Sequence, residues 1–195
     1  MLLAALPIIL ESRGFRVNLS KTQIYNPDGR VPGAQALATH YGIGYAEEGI
    51  VLLGVPMSSQ HHYIHARLDD QLLSLKEKAK RILEYAKHTE GRRQQYRTQV
   101  AFRLLRQSFN SKWNHHARCI PPALMKRHAE EFDKLVQNTA FSLVFGSPRT
   151  AGPETAVKHA RLAAEEGGLG LKSLAANADI TYLSAWNDTM REVKE

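Results

Sequence analysis

The sequence predicts an α+β fold in which a small antiparallel sheet edge is followed by a mainly α-helical region. Residues 15–20 alternate apolar and polar side chains, and a β-prone run over 21–25 continues to the Asn26-Pro27-Asp28-Gly29 turn, as expected for a strand over 15–25. Residues 50–55 form a short, almost wholly apolar run that is typical of a strand buried in a sheet. From Ser58 onward the apolar residues recur with the helical period. We therefore place the boundary between residues 1–57 and residues 58–195.

The N-terminal region is expected to hold one helix and two principal strands. Apolar residues at helical spacing predict a helix over 2–13, with Gly14 at its C′ position. Residues 26–48 are rich in turn-forming residues, with a short helical segment at 34–39. A short strand over 41–46 is predicted to pair, through a hairpin turn at 47–49, with the strand over 50–55, and Pro56 is expected to end that pairing.

The remainder is expected to be helical. A helix from Ser58 or Ser59 to about His88 would bury one apolar face, formed by Ile64, Leu68, Leu72, Leu75, Ala79, Ile82 and Ala86. A second helix over 92–117 would bury Tyr96, Val100 and Leu104, with Trp113 as a further candidate. A third is predicted over 122–145, burying Leu124, His128, Phe132, Leu135, Val136, Phe141 and Val144. Two more follow over 153–165 and 172–193; the last would bury Leu174, Ala178, Tyr182, Leu183 and Trp186.

Composition indicates a globular protein with a basic surface. The chain is 43% hydrophobic and 23% charged, which argues against global disorder. Its formal net charge is +7, which favours a polyanionic partner. Cys119 is the single cysteine, so neither an intramolecular disulfide nor a cysteine-rich zinc site can form.

The apolar start, residues 1–10, does not have the features of a signal peptide. It lacks a basic leading segment and a small-residue cleavage site, and Glu11 and Arg13 follow too soon for a membrane span. We interpret it as a core helix of a cytosolic or nuclear protein and expect the chain to begin inside a larger fold.

The strongest chemical signal is a basic segment, residues 91–129. It contains nine Lys or Arg residues and no acidic residue: Arg92, Arg93, Arg97, Arg103, Arg106, Lys112, Arg118, Lys126 and Arg127. Such a cluster neutralises phosphates and supplies sequence-independent affinity for nucleic acid, and Trp113 within it could stack a base. A solvated helix face is the alternative interpretation.

Other candidate sites are weaker. His61 and His65 have the i, i+4 spacing of a helical metal pair but no acidic third ligand, so a surface histidine cluster is favoured. Asp69-Asp70 diverge on a helix and are interpreted as surface charge. The segment Gly167-Gly168-Leu169-Gly170 follows a helix rather than a strand, which favours helix capping over a dinucleotide loop. We expect no metal and no cofactor.

Three segments together resemble reverse transcriptases of the non-LTR retrotransposon type. Residues 15–22 (Phe-Arg-Val-Asn-Leu-Ser-Lys-Thr) resemble the segment that follows the catalytic Asp-Asp hairpin, and residues 51–56 (Val-Leu-Leu-Gly-Val-Pro) resemble the primer-grip strand. Residues 167–173 (Gly-Gly-Leu-Gly-Leu-Lys-Ser), with the later Tyr-Leu-Ser-Ala-Trp, are similar to a tail found downstream of such polymerase domains.

The resemblance implies an incomplete palm over 1–57 followed by a thumb-like helical region. Lys21 would then lie near the triphosphate and help the pyrophosphate leave, and Leu53 and Gly54 would lie against the primer end. The basic segment would contact an RNA/DNA template-primer. The Tyr-x-Asp-Asp segment that holds the two metal ions is missing from the sequence, so we expect no polymerisation by this chain alone, unless a second chain supplies the other half.

Two alternatives remain open. The chain could be a helical interaction module whose basic face binds an acidic protein or a membrane surface. It could also be a stand-alone enzyme that uses Lys21 or the histidines.

Overall fold

The computed structural model describes residues 10–87, 92–146 and 154–193, without the side chains of Arg92 and Glu154. Two short pairs of strands precede a series of helices, which confirms the α+β fold class with a small antiparallel sheet and a mainly helical remainder. The chain divides into two units, residues 1–64 and 65–195. The predicted helix over 2–13 lies almost wholly outside the described residues.

A parallel strand pair joined through a helix forms part of the first unit. Strand β1 (Gln23–Tyr25) pairs in parallel with β2 (Gly44–Ala46), and helix α1 (Ala34–Tyr41) connects them. Parallel neighbours need such a crossover connection. The strand predicted over 41–46 therefore exists in shortened form, but its predicted hairpin partnership with residues 50–55 is wrong.

The long strand predicted over 15–25 is also wrong over most of its length. Leu19–Lys21 form a 3-10 turn instead, and only the last three residues are extended. Ser20 Oγ donates to Asn18 Oδ1 at 2.7 Å, and Thr22 Oγ1 donates to the Asn18 carbonyl at 2.9 Å. These local side-chain hydrogen bonds favour a turn over a strand, because they offer the backbone an alternative to ladder pairing.

The apolar run at 50–55 is a hairpin rather than one buried strand. Strand β3 (Ile50–Leu52) pairs antiparallel with β4 (Val55–Met57) across the two turn residues Leu53 and Gly54. Both turn residues have positive φ, 51° and 84°, as the tightest hairpin connections require. Leu53 is 84% exposed. Pro56 does not end the pairing but lies within β4, opposite Val51.

The second unit is built from helices, the first of which begins at His61, just before the boundary between the units. Their bounds are α2 (His61–Lys87), α3 (Arg92–Leu104), α4 (Asn114–Cys119), α5 (Pro122–Phe145), α6 (Glu154–Arg161) and α7 (Leu174–Val193). A π-helical turn, Leu105–Phe109, follows α3, so the single helix predicted over 92–117 is interrupted. The predicted bounds of the third helix are confirmed by α5. The Pro153 start of the fourth predicted helix lies outside the described residues.

Most of the predicted apolar faces pack in the core. The face of α2 is buried as predicted except at Ile82, which is half-buried; Leu68 and Leu72 are at 0% and 2% exposure. On α5, His128, Phe132, Val136 and Phe141 are buried as predicted, whereas Val144 is exposed. Helices α4 and α5 both pack against α7, and α3 and the π-helical turn pack against α5.

The buried face of α3 is displaced by one residue from the face that was predicted to be buried. Tyr96 and Leu104 are exposed at 67% and 48%, and Ala101 and Leu105 are buried in their place. The buried residues Ala101, Leu105, Phe109 and Trp113 follow one another at intervals of four. A π-helical turn has more residues per turn than an α-helix, and this widened spacing keeps the large side chains Leu105, Phe109 and Trp113 on one side.

Part of the apolar face of α7 that was predicted to be buried is exposed. Leu174 and Ala178 are buried, but Leu183 and Trp186 are 66% and 52% exposed. That part of the prediction is wrong, because α4 and α5 cover only the beginning of the helix's apolar face. Within the described ranges, no helix is both long and apolar enough to cross a membrane.

Candidate nucleic-acid interface

The basic segment, residues 91–129, extends over four consecutive elements of the second unit. Arg93, Arg97 and Arg103 are on α3, and Arg106 is in the π-helical turn. Lys112 lies in the turn that follows. Arg118 is on α4, and Lys126 and Arg127 are in the first turns of α5. The side chain of Arg92 lies outside the described part.

Two of these cations have partners within the fold. The Arg97 guanidinium lies 5.2 Å from the centre of the Tyr85 ring, a cation–π contact that joins α3 to α2. Arg127 Nη2 donates to both carboxylate oxygens of Asp69, at 2.8 and 2.9 Å. These two arginines therefore contribute less to a free basic surface than the sequence predicts.

Asp69 connects α2 to α5 rather than serving only as surface charge. Besides Arg127, it accepts a hydrogen bond from Nε2 of the fully buried His128, at 3.0 Å. His65, one turn earlier on α2, stacks on the His128 ring at 5.4 Å and is half-buried, so the predicted surface histidine cluster is wrong for this residue. Burial raises the pKa of Asp69, but hydrogen bonds and charge from Arg127 and His128 outweigh it and hold the pKa below its ordinary value.

Replacing Asp69 with Asn is expected to remove a small, acid-sensitive part of the stability. A carboxyl whose pKa is lower in the folded state stabilises the protein above its unfolded pKa, and that contribution is lost as the pH falls through the folded pKa. Because the Asp69 side chain is 51% exposed, we expect a loss of about 1 kcal/mol or less at pH 6, shrinking below about pH 4. Urea unfolding across this pH range measures it.

Asp70→Asn is the matched control for that measurement. The Asp70 carboxylate is 70% exposed, and among the described residues its salt-bridge partner is Arg67 alone, at 3.9 Å. Its substitution is expected to leave the unfolding free energy nearly unchanged at every pH. Equal, pH-independent losses in the two variants would contradict the role given to Asp69.

Arg106 is exposed, and its guanidinium lies beside Gly170 of the glycine segment 167–170. Its Nε would be 3.2 Å from a Cβ atom placed on Gly170, whose φ is +65°. A side chain at this position would therefore meet the guanidinium and also strain the backbone. The carboxamide of the buried Asn110, in its hydrogen-bonding orientation, pairs with both backbone groups of Lys172, at 2.8 and 3.1 Å.

The carboxylate of Asp133 on α5 caps the first turn of α7. It accepts hydrogen bonds from Ser173 Oγ at 2.5 Å, from the Leu174 amide at 2.8 Å and from the Ala175 amide at 3.2 Å. The segment 167–173 is thus held between two polar side chains. Asp133 and Ser173 cap the start of α7. The capping predicted for the glycines is at the other end of the segment, where Gly167, with a φ of 80°, ends the 3-10 turn Ala164–Glu166.

Apart from Arg106, which lies beside Gly170, five exposed cations of the basic segment remain uncompensated. Their side chains are exposed, and no carboxylate in the described part of the chain lies within salt-bridge distance of them; they are Arg93, Arg103, Lys112, Arg118 and Lys126. We refer to these five residues as the uncompensated cations. Without local counter-charges, they are available to the phosphates of a polyanion.

Trp113 cannot serve as the predicted stacking residue in this fold. It is only 2% exposed and packs against Phe132, with ring centres 5.3 Å apart. The exposed aromatic ring of the basic segment is instead Tyr96, which the sequence analysis assigned to the core. The signal that could have identified it is the interval of four from Ala101 to Trp113, which puts Tyr96 outside the buried face.

The site residues inferred from the resemblance lie in the first unit. Lys21 is exposed at the end of the 3-10 turn, and no described carboxylate pairs with it. Leu53 and Gly54 form the tip of the β3–β4 hairpin. Among the described residues, no group of three His, Cys, Asp or Glu side chains is placed to hold a metal ion.

Comparison with protein families, with curated proteins and with solved structures finds no match to this chain.

Proposed function

We propose that this chain binds RNA or DNA without sequence preference through the uncompensated cations. The observation that carries the proposal is that five exposed cations lie on three neighbouring helices and one turn, with no described carboxylate to neutralise them. Each phosphate that such a cation neutralises releases a condensed counterion, which supplies affinity that depends on salt and not on base sequence.

The proposal includes a reverse-transcriptase-like origin, in which the chain is a remnant or fragment of an RNA-directed DNA polymerase. The order of the three sequence motifs at 15–22, 51–56 and 167–173 supports it. Two-metal phosphoryl transfer needs paired carboxylates, and these 195 residues contain no Tyr-x-Asp-Asp run. In this proposal the chain acts inside the cell on a template-primer and does not polymerise alone; a second chain would have to supply the missing polymerase half.

Neutralising four uncompensated cations is expected to abolish most of the affinity for nucleic acid. The test variant carries Arg103→Gln, Lys112→Gln, Arg118→Gln and Lys126→Gln, and binding to a primed RNA/DNA duplex is measured by fluorescence anisotropy at several salt concentrations. We expect at least about tenfold weaker binding, and a slope of log K against log salt that is shallower by about 3–4.

A second quadruple variant removes the same net charge from a different surface. Lys76, Lys78, Lys80 and Arg81 are exposed on α2, and their replacement by Gln should change the affinity far less. Equal losses in the two variants would show that net charge, and not the basic segment, is responsible. A wild-type affinity that does not respond to salt would overturn the proposal.

The alternative function, a helical module for an acidic protein or a membrane surface, would use the same side chains. Vesicles rich in anionic lipid and an acidic polypeptide therefore belong in the same assay. Wild-type binding to either of them, without binding to the primed duplex, would favour this alternative.

A further inference from the structure

Tyr96 is an exposed aromatic ring among uncompensated cations. It is 67% exposed on α3, and within the described part of the chain its ring contacts no other ring and no cation. Arg93 lies three residues earlier on the same helical face, so the two side chains are neighbours on the surface. An unshielded ring beside a cation is the pair of groups with which proteins hold single-stranded nucleic acid.

A second tyrosine and a second arginine, Tyr85 on α2 and Arg97 on α3, already contact each other. The Tyr85 ring is partly covered by the Arg97 guanidinium. Trp113, the other large aromatic candidate, is buried. Tyr96, at 67% exposure, is thus the more open of the two tyrosines, since no described cation or ring covers it.

We propose that Tyr96 stacks on an unpaired base, so that the basic segment takes single-stranded RNA or DNA. The inference rests on the proposed function, because the cations must first hold the phosphate backbone. In a duplex the bases are stacked on each other, and their faces are closed to a side chain. In a single strand every base offers a π-face, and stacking on tyrosine tolerates any base. The ring therefore adds affinity for single strands only, while the cations contribute to both.

The test compares Tyr96→Ala and Tyr96→Phe with the wild type on a uridine oligomer, a deoxythymidine oligomer and a duplex of equal length. One base–aromatic stack predicts about 5- to 150-fold weaker single-strand binding for Tyr96→Ala, with duplex binding and the salt slope unchanged. Tyr96→Phe keeps the ring and should retain single-strand affinity. Trp186→Ala removes an aromatic ring that is 52% exposed outside the basic segment and should have no effect on either probe.

A second readout follows the ring itself. In a Trp186→Phe background, Tyr96→Trp leaves the buried Trp113 and the new indole as the two fluorophores. We expect the single-stranded oligomer to quench the indole at position 96 and the duplex to leave it unchanged. Equal quenching by the two probes, or none, would overturn the inference.

The outcomes separate this inference from the proposed function. Salt-dependent binding of the wild type to the duplex, with Tyr96→Ala as tight as the wild type on single strands, would refute the stacking role and leave the proposed function standing. A wild type that binds neither probe would overturn both. If Tyr96→Ala lost equal affinity for the single strand and for the duplex, the ring would stabilise α3 rather than stack on a base.

Discussion

Replacing Phe132 with Ala is expected to destabilise the second unit by about 3–5 kcal/mol, the usual cost of deleting a fully buried aromatic side chain. Phe132 is 0% exposed on α5, and its ring lies 5.7 Å from Phe109 and 5.3 Å from Trp113. The substitution removes apolar burial, leaves a cavity and ends two aromatic contacts at once. Equilibrium denaturation in urea or guanidinium measures the loss.

The position of the Phe132 ring explains why we expect so large an effect. The three rings come from the π-helical turn, from the turn after it and from α5, which together carry four of the nine cations of the basic segment. Deleting the Phe132 ring therefore removes the side chain against which both Phe109 and Trp113 pack.

Phe145→Ala is the control for Phe132→Ala, because it deletes the same side chain from the other end of α5. Phe145 is 54% exposed, and its ring lies 5.9 Å from that of Phe141. We expect it to cost about 1 kcal/mol or less. If Phe132→Ala were no more destabilising than Phe145→Ala, the ring cluster would not be the centre of this core.

Elements with clear boundary residues could be predicted from the sequence. Helix α5 begins at Pro122, where proline is compatible with the first helical turn, and ends before Gly146, whose φ is +76°. The apolar face of α2 could also be predicted, since its period is regular over seven turns. In both cases the local signals agree with the tertiary packing.

The errors arise where several local structures fit one pattern. An apolar run such as residues 50–55 fits a buried strand, and nothing local shows that Leu53 takes a positive φ and splits the run into a hairpin. The π-helical turn likewise departs from the α-helical period, so extrapolating a period of 3.6 residues through it gives the wrong phase for α3. Tertiary packing against α5 decides which face of α3 is buried.

The positive charge of the candidate site could be predicted from the sequence, but the partners of its cations could not. The absence of acidic residues from 91–129 is visible in the sequence. The partner of Arg127 is not, because Asp69 lies 58 positions earlier and comes close only when α2 packs on α5. Trp113, a candidate both for burial and for stacking a base, is buried, and Tyr96, which was predicted to be buried, is exposed.

Replacing Asp133 with Ala is expected to cost about 2–4 kcal/mol and to release the beginning of α7. The Asp133 side chain is only 9% exposed and is the acceptor for Ser173 Oγ and for the first two amides of the helix. Without it, these donors lose a charged acceptor at a helix N-terminus, where negative charge is also favoured by the helix dipole. Denaturation measures the global loss, and hydrogen exchange at Leu174 and Ala175 should accelerate more than elsewhere in α7.

Asp179→Ala is the control for Asp133→Ala, because Asp179 is an exposed acid on the same helix α7. We expect it to change the unfolding free energy by no more than about 0.5 kcal/mol. Asp133→Asn should fall between the two alanine variants, since one carbonyl oxygen can still accept a hydrogen bond but carries no charge. If the amides of Leu174 and Ala175 were equally protected in Asp133→Ala and Asp179→Ala, segment 167–173 would not depend on the cap.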